Sequence, residues 1–209
     1  MVQSIAISSL TLPELEEKKH LRLANDPNFF TEWCQNLPDL SDEDERYLDQ
    51  VQREYFDQTR SGQISEGLIK LIVLSPLLHL AGFYRRPFEV RLEESVQVEV
   101  TEASEVWKGR IDALVIKDYF WILVIEAKNS ALGIDMAIPQ ALGYMLANPN
   151  LERFTYGLVT NGSSFAFLKL AQTPSPIYEV SDVLLLLPGR NVLGRVLRVM
   201  KRLGKRVLV

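Results

Sequence analysis

Residues 109–128, GRIDALVIKDYFWILVIEAK, constrain this chain more than any other stretch. Two runs, 111–116 and 121–127, are rich in Ile, Val, Leu and Trp, and Lys117-Asp118-Tyr119 forms a polar break between them. Such runs predict strands, and the break predicts a hairpin turn. Both runs are apolar at nearly every position, so both faces of the sheet need covering, by helices. Three charges interrupt the pattern: Asp112, Glu126 and Lys128. A charge in a buried strand is costly unless it is paired, binds a metal or reaches solvent at a strand end.

Side chains alternate along a strand, so Glu126 and Lys128 share a face. A hairpin centred on Tyr119 pairs Asp112 with Glu126, Leu114 with Val124 and Ile116 with Ile122, all on one face. That register needs an odd loop or a bulge, because an even loop puts Asp112 and Glu126 on opposite faces. Two carboxylates and a lysine at a sheet end suit Mg2+, which takes oxygen ligands and needs only one or two carboxylates beside phosphate and water. Mn2+ is expected to substitute. The same three residues also fit a surface ion pair without function, since Glu-x-Lys is a common triplet.

At these residues the chain resembles the PD-(D/E)XK nuclease superfamily. Asp112 stands where the signature has its first Asp, and Glu126-Ala127-Lys128 where it has (D/E)XK. Gln140-Ala141-Leu142-Gly143-Tyr144 is similar to the QxxxY motif of several branches. Upstream, Ser65-Glu66, Leu68-Ile69-Lys70 and Ser75-Pro76-Leu77-Leu78 resemble the first core helix of the nuclease domain at the N-terminus of type I restriction enzyme motor subunits. Thr160-Asn161-Gly162 and Phe165-Ala166-Phe167 are similar to that family's last core strand and turn. Ile111 stands where the signature has Pro. The resemblance covers residues 62–170.

The resemblance implies a restriction-endonuclease-like α/β core, a mixed sheet flanked by helices. It also implies Mg2+-dependent hydrolysis of DNA phosphodiester bonds. Asp112 and Glu126 would hold the metal, with Glu66 as a third carboxylate. Lys128 would position the attacking water and stabilise developing charge. Gln140 would orient the scissile phosphate or the water, and Tyr144 would hydrogen-bond a phosphate. For Glu66 the alternative is complementing a helix dipole; for Gln140 and Tyr144 it is ordinary packing. DNA is the implied partner, and a homodimer is compatible with the resemblance. There is no GxxxxGK[ST] loop, so any motor or specificity subunit would be separate. An RNA-directed nuclease, or a non-cleaving nucleic-acid-binding or assembly module, fits the same residues.

The length suggests one domain with appended segments: a helical extension over 1–60, the core over 61–175, and a basic amphipathic C-terminal helix within 176–209 packed on that core. One cysteine, Cys34, excludes a disulfide framework, and two histidines are too few for a histidine metal site. A cytoplasmic location is the simplest reading. The N-terminus lacks signal-peptide features, and the apolar stretch 68–83, broken by Pro76, is too short to span a membrane.

Asp26-Pro27 predicts a helix start, with Phe29, Phe30, Trp33 and Leu37 at helical spacing and Pro38 as its end. Ser41 caps a second helix with Tyr47, Leu48, Val51 and Tyr55 as its apolar face, and the acidic run 42–45 suits its positive end. A helix over 65–82, apolar nearly all round through Leu68, Leu71, Ile72 and Leu78, should be buried and kinked at Pro76. Strands are expected at 88–92, 96–100, 154–160 and 164–170, and a helix at 139–147 that lies close to the sheet at Gly143. In the last helix, 191–206, Val192, Leu193, Val196, Leu197, Met200 and Leu203 form one face. Arg195, Arg198, Arg202 and Lys205 or Arg206 form another, which can meet phosphates, dock on the acidic N-terminal segment, or simply be solvated. The net charge of −4 does not by itself indicate nucleic-acid binding.

Overall fold

The computed structural model describes residues 3–100, 105–117, 120–131, 133–190 and 192–206. Among them are nine strands: β1 (Gln3–Ala6), β2 (Arg22–Leu23), β3 (Phe88–Val100), β4 (Glu105–Lys117), β5 (Phe120–Ala127), β6 (Thr155–Thr160), β7 (Ser164–Ala171), β8 (Ile177–Val180) and β9 (Leu184–Leu185). They form one mixed sheet in the order β1-β4-β5-β6-β7-β8-β2, with β3 on β4 and β9 on β7. The helices are α1 (Leu12–Lys19), α2 (Asp42–Thr59), α3 (Glu66–Ile69), α4 (Ser75–Leu80), α5 (Ala137–Met145) and α6 (Leu193–Arg206).

Helices cover both faces, as the unbroken apolar runs require. One core layer joins α2, residues 66–80 and α6 to the sheet through Val51, Ile69, Leu77, Val196 and Met200. The other joins α1 and α5 through Leu15, Ala141 and Met145. Strand β3 pairs with β4 along its whole length, so β1 and β5 share the other edge of β4. β1 takes its start, at residues 105–108, and β5 takes its end from Ala113 onward. Strands β5 and β6 are parallel, and α5 lies on the crossover between them.

The hairpin register is set by a bulge. Ala113 faces Ile125 and Leu114 faces Val124, but the register shifts between Val115 and Ile116, so that Ile116 faces Trp121 and Lys117 faces Phe120. The expected Leu114–Val124 pair is present, and the expected Ile116–Ile122 pair is replaced by Ile116–Trp121. Asp118 and Tyr119, the expected hairpin centre, lie outside the described residues. They are two in number, and without the bulge an even connection would send Asp112 and Glu126 to opposite faces.

Residues 66–80 form one helical path that changes type. Ser65 Oγ accepts from Leu68 N at 3.2 Å and caps α3. Residues Lys70–Leu74 are π-helical, and Ser75 N–H reaches back to Lys70 O. Pro76 has no N–H to give to the preceding turn, so wider bonding ahead of it is a local solution. Leu71 does not join the buried face expected for this helix and is 67% exposed.

Four other expectations are corrected. Residues 27–37 form successive turns rather than a helix. The Phe29 carbonyl, which a helix would give to residue 33, instead accepts from the buried Lys169 ammonium at 2.6 Å, and Lys169 also pairs with buried Glu32 at 2.8 Å. A buried cation must find acceptors, and it takes one from the turn. The first 23 residues, expected to be helical, supply β1 and β2, each parallel to a strand distant in sequence. Residues 88–92 and 96–100 belong to one continuous strand, β3. On α2, Leu48, Val51 and Tyr55 are buried, but Tyr47 is exposed.

Gly143 and Gly109 make the close approaches. A Cβ on Gly143 would lie 2.9 Å from Ile7 Cγ2, so this glycine admits the chain after β1 rather than the sheet. On the strand side, a Cβ on Gly109 would lie 2.6 Å from Tyr144 Cε1 and 3.1 Å from Ile7 Cβ. Both neighbours are buried, so neither can swing away. Gly109→Ala should therefore cost about 1–3 kcal/mol, the usual range for overpacking a core. Urea denaturation will show this as a lower midpoint; a midpoint equal to the parent's would contradict the packing described.

Candidate metal centre

The end of β5 brings the two strand carboxylates together. One oxygen each of Glu66, Asp112 and Glu126 lies within 4.8 Å of the others. Glu126 and Asp112 are 2% and 8% exposed, so their charges are not dispersed by water. Glu66 arrives from the first turn of α3, on one face of the sheet, and Gln140 from α5 on the other.

Each carboxylate is held by named donors. Asp112 Oδ2 accepts from Ala127 N at 2.8 Å, which locks the two strands at the site. Asp112 Oδ1 accepts from Lys70 Nζ at 2.5 Å, and Lys70 also lies 3.4 Å from Glu93. Glu126 Oε1 accepts from Lys128 Nζ at 2.6 Å. Lys128 donates as well to Gln140 Oε1 at 2.8 Å, and Gln140 Nε2 donates to Tyr144 Oη at 2.9 Å. Lys128 N donates to Thr160 O at 2.8 Å and so anchors the end of β5 to the end of β6. Tyr144, which the resemblance set against a phosphate, is 2% exposed, and its hydroxyl is engaged by Gln140 and the backbone of Arg110.

Lys70 was not singled out by the sequence reading. Its signal was nonetheless there, as the one charge between Gly67 and Leu78 on an otherwise apolar helix. Burial pulls its ammonium down, but Asp112 above all, then Glu93 and Glu66, outweigh this and leave its pKa raised. Glu93 lies opposite Asp112 in the β3–β4 pairing, between the bonded pairs Leu92–Ala113 and Glu94–Ile111, and has φ of 55°. Positive φ at a non-glycine residue gathers at functional sites.

The C-terminal arginines stand elsewhere. Helix α6 packs on α2, where Lys201 meets Asp44 at 2.7 Å and Arg198 meets Glu45 at 3.5 Å. Of the basic face, Arg198 docks on the acidic helix, with Lys201 beside it. The Arg195 guanidinium lies over the Trp33 ring at 5.3 Å, and Arg202 is partly buried.

The donor set is all oxygen, as a hard cation requires. Glu126 Oε2 is buried and has no hydrogen-bond partner, which is the atom a cation would satisfy. Residues 112, 126 and 66 therefore fit a divalent metal, and the two flanking lysines fit an anionic ligand beside it.

Comparison with known proteins adds little. No family model and no curated protein matches the chain. Among solved structures, a fragment assigned as the HsdR subunit of a type I restriction enzyme from Vibrio vulnificus YJ016 matches 65% of the chain at 20% identity, with a TM-score of 0.41. The chain spans 26% of that one. Among the described residues no helix is long and apolar enough to cross a membrane.

Burial, reinforced by the Asp112 charge and opposed by Lys128, pushes the Glu126 carboxyl up to about 7. The ordinary value is 4.5, so between these limits the folded state holds a proton that the unfolded state has lost. The Glu126 contribution to stability is thus full at low pH and is lost as pH rises to about 7. Without divalent metal, Glu126→Gln should melt higher than the parent at pH 8, by a margin that shrinks steadily as pH falls toward 4.5. Added Mg2+ should raise the parent's melting temperature at pH 8 and leave the variant's nearly unchanged. A parent more stable than Glu126→Gln at pH 8 without metal would contradict this.

Proposed function

We propose that this protein is a metal-dependent nuclease that hydrolyses phosphodiester bonds, with DNA as its substrate. The observation that carries the reading is the meeting of Glu66, Asp112 and Glu126, with Lys128 and Lys70 hydrogen-bonded to two of them. The PD-(D/E)XK resemblance of the sequence points the same way. Three buried or half-buried acids with lysines at hydrogen-bonding distance make a poor stability device, since a buried charge cluster rarely repays its desolvation. They make a good device for binding a cation and a phosphate together.

Asp112 and Glu126 would hold Mg2+ or Mn2+, with Glu66 completing the set, and the ion bound there would supply a water of lowered pKa and offset phosphate charge. Lys128 Nζ, fixed between Glu126 and Gln140, orients the attacking water and stabilises the charge that grows on phosphorus oxygens during in-line displacement. Gln140 presents its carbonyl to Lys128 and is itself held by Tyr144, so both act by positioning. Lys70 pairs with Asp112 and would be placed to meet a phosphate where a cation took over that carboxylate. Arg195, exposed on α6 away from the carboxylates, would meet a phosphate further along the strand, whereas Arg198 is paired with Glu45 and Arg202 is partly buried. A separate motor or specificity subunit is proposed on the same resemblance.

At saturating Mg2+, Lys128→Ala should lower the cleavage rate roughly 10²–10³-fold, the range for removing one preorganised electrostatic group, with DNA affinity little changed. Asp112→Asn should abolish both cleavage and calorimetric Mg2+ binding. A Lys128→Ala protein that cuts as fast as the parent would assign the activity to another site. DNA bound without cleavage and without any Mg2+ heat would favour the non-cleaving binding module. The affinity should also fall with salt, and Arg195→Ala should flatten that slope by about one unit if the guanidinium meets a phosphate.

A further inference from the structure

Beside the carboxylates lies a cleft of about 310 Å³ that shares Lys70 and Asp112 with the metal centre. Its walls are apolar: Leu71, Leu74 and Leu78 come from residues 66–80, and Leu92 comes from β3. Tyr84 lines it as well, with its hydroxyl donating to Ser75 Oγ at 3.1 Å. Leu71 and Leu92 are 67% and 65% exposed, and Tyr84 is 49% exposed. Arg85 and Arg86 follow Tyr84 in the same exposed turn.

We propose that this cleft holds one unpaired base of a nucleic-acid strand, that of a nucleotide adjoining the phosphate at the carboxylates. The inference rests on the nuclease reading and narrows its substrate to single-stranded or locally unpaired nucleic acid. The cleft lies at the small end of ligand-pocket volumes, from about 300 Å³ upward, which suits one heterocycle. Two leucines from opposite walls grip the faces of a flat ring, and Tyr84 offers a ring for stacking. Such contacts accept any base, because every base has an apolar face. A base stacked inside a duplex cannot enter a pocket of this kind without leaving its stack. Lys70 is shared by the cleft and the metal centre, where a backbone phosphate would lie, and the exposed Arg85 and Arg86 follow Tyr84 in the chain.

The test uses the full chain with Ca2+ in place of Mg2+. Fluorescence anisotropy is read on short single-stranded DNA, single-stranded RNA of the same sequence, and the DNA duplex. The parent should bind a single strand more tightly than the duplex, and the DNA and RNA arms show which sugar is accepted. The double substitution Leu71→Ser with Leu92→Ser, at two exposed positions that leave the fold intact, should weaken single-strand binding by about 10-fold, the scale of one lost stacking contact. Duplex affinity and melting temperature should not change. A double variant with the parent's single-strand affinity, or a parent that prefers the duplex, overturns the proposal. Mg2+-dependent cutting that survives with affinity unchanged in the double variant removes the base site and keeps the nuclease reading. Single-strand binding that depends on Leu71 and Leu92 without any cutting keeps the base site and removes the nuclease reading.

Discussion

The structure depends on the side-by-side burial of Asp112 and Glu126 on neighbouring strands. Like charges at this distance in a water-poor place repel, and the protein answers with donors rather than with space. The Ala127 amide and Lys70 take the two oxygens of Asp112, and Lys128 takes one oxygen of Glu126. One Glu126 oxygen is left without a partner, and the carboxyl keeps its proton to about pH 7. An arrangement that stays incompletely satisfied on its own is what a cation site requires.

The remaining architecture can be understood as support for that pair. The shift between Val115 and Ile116 sets the register in which Ala113 faces Ile125, next to the two acids. The parallel β5–β6 ladder and the Lys128 N to Thr160 O bond fix where β5 stops. Gly109 clears room for the Tyr144 ring, whose hydroxyl holds Gln140, whose carbonyl in turn holds Lys128. The chain of contacts runs from the backbone of β4 to the lysine through the buried side chains of Tyr144 and Gln140.

Separate devices hold the periphery. Lys169 and Glu32 form a buried pair beneath Phe29 and Phe154, with the Lys169 ammonium 4.0 Å from the Phe154 ring centre. This pair ties the turns at 27–35 to β7. Helix α6 closes the other side through its apolar face and its contacts with Asp44 and Glu45. Two acids of α2 and two cations of α6 thus offset one another.

What the sequence by itself determined was whatever depends on near neighbours. The apolar runs around residues 111–116 and 121–127, the Ser41 cap, and the spacing of Gln140 and Tyr144 are local, and each reads directly as strand, helix start or shared face. Glu126 and Lys128 stand two apart on one strand, so their common side followed from alternation alone. Tertiary structure decided the rest, because it turns on contacts between residues far apart in the chain. Residues 27–37 have helical spacing, yet Lys169, 140 positions beyond Phe29, takes the carbonyl a helix would need. The strands β1 and β2 are too short to be seen without the parallel partners they join. Lys70 is a lone charge on an apolar helix until Asp112 is placed 2.5 Å from it. The register shift between Val115 and Ile116, a choice of pairing geometry rather than of composition, likewise cannot be read from the two apolar runs.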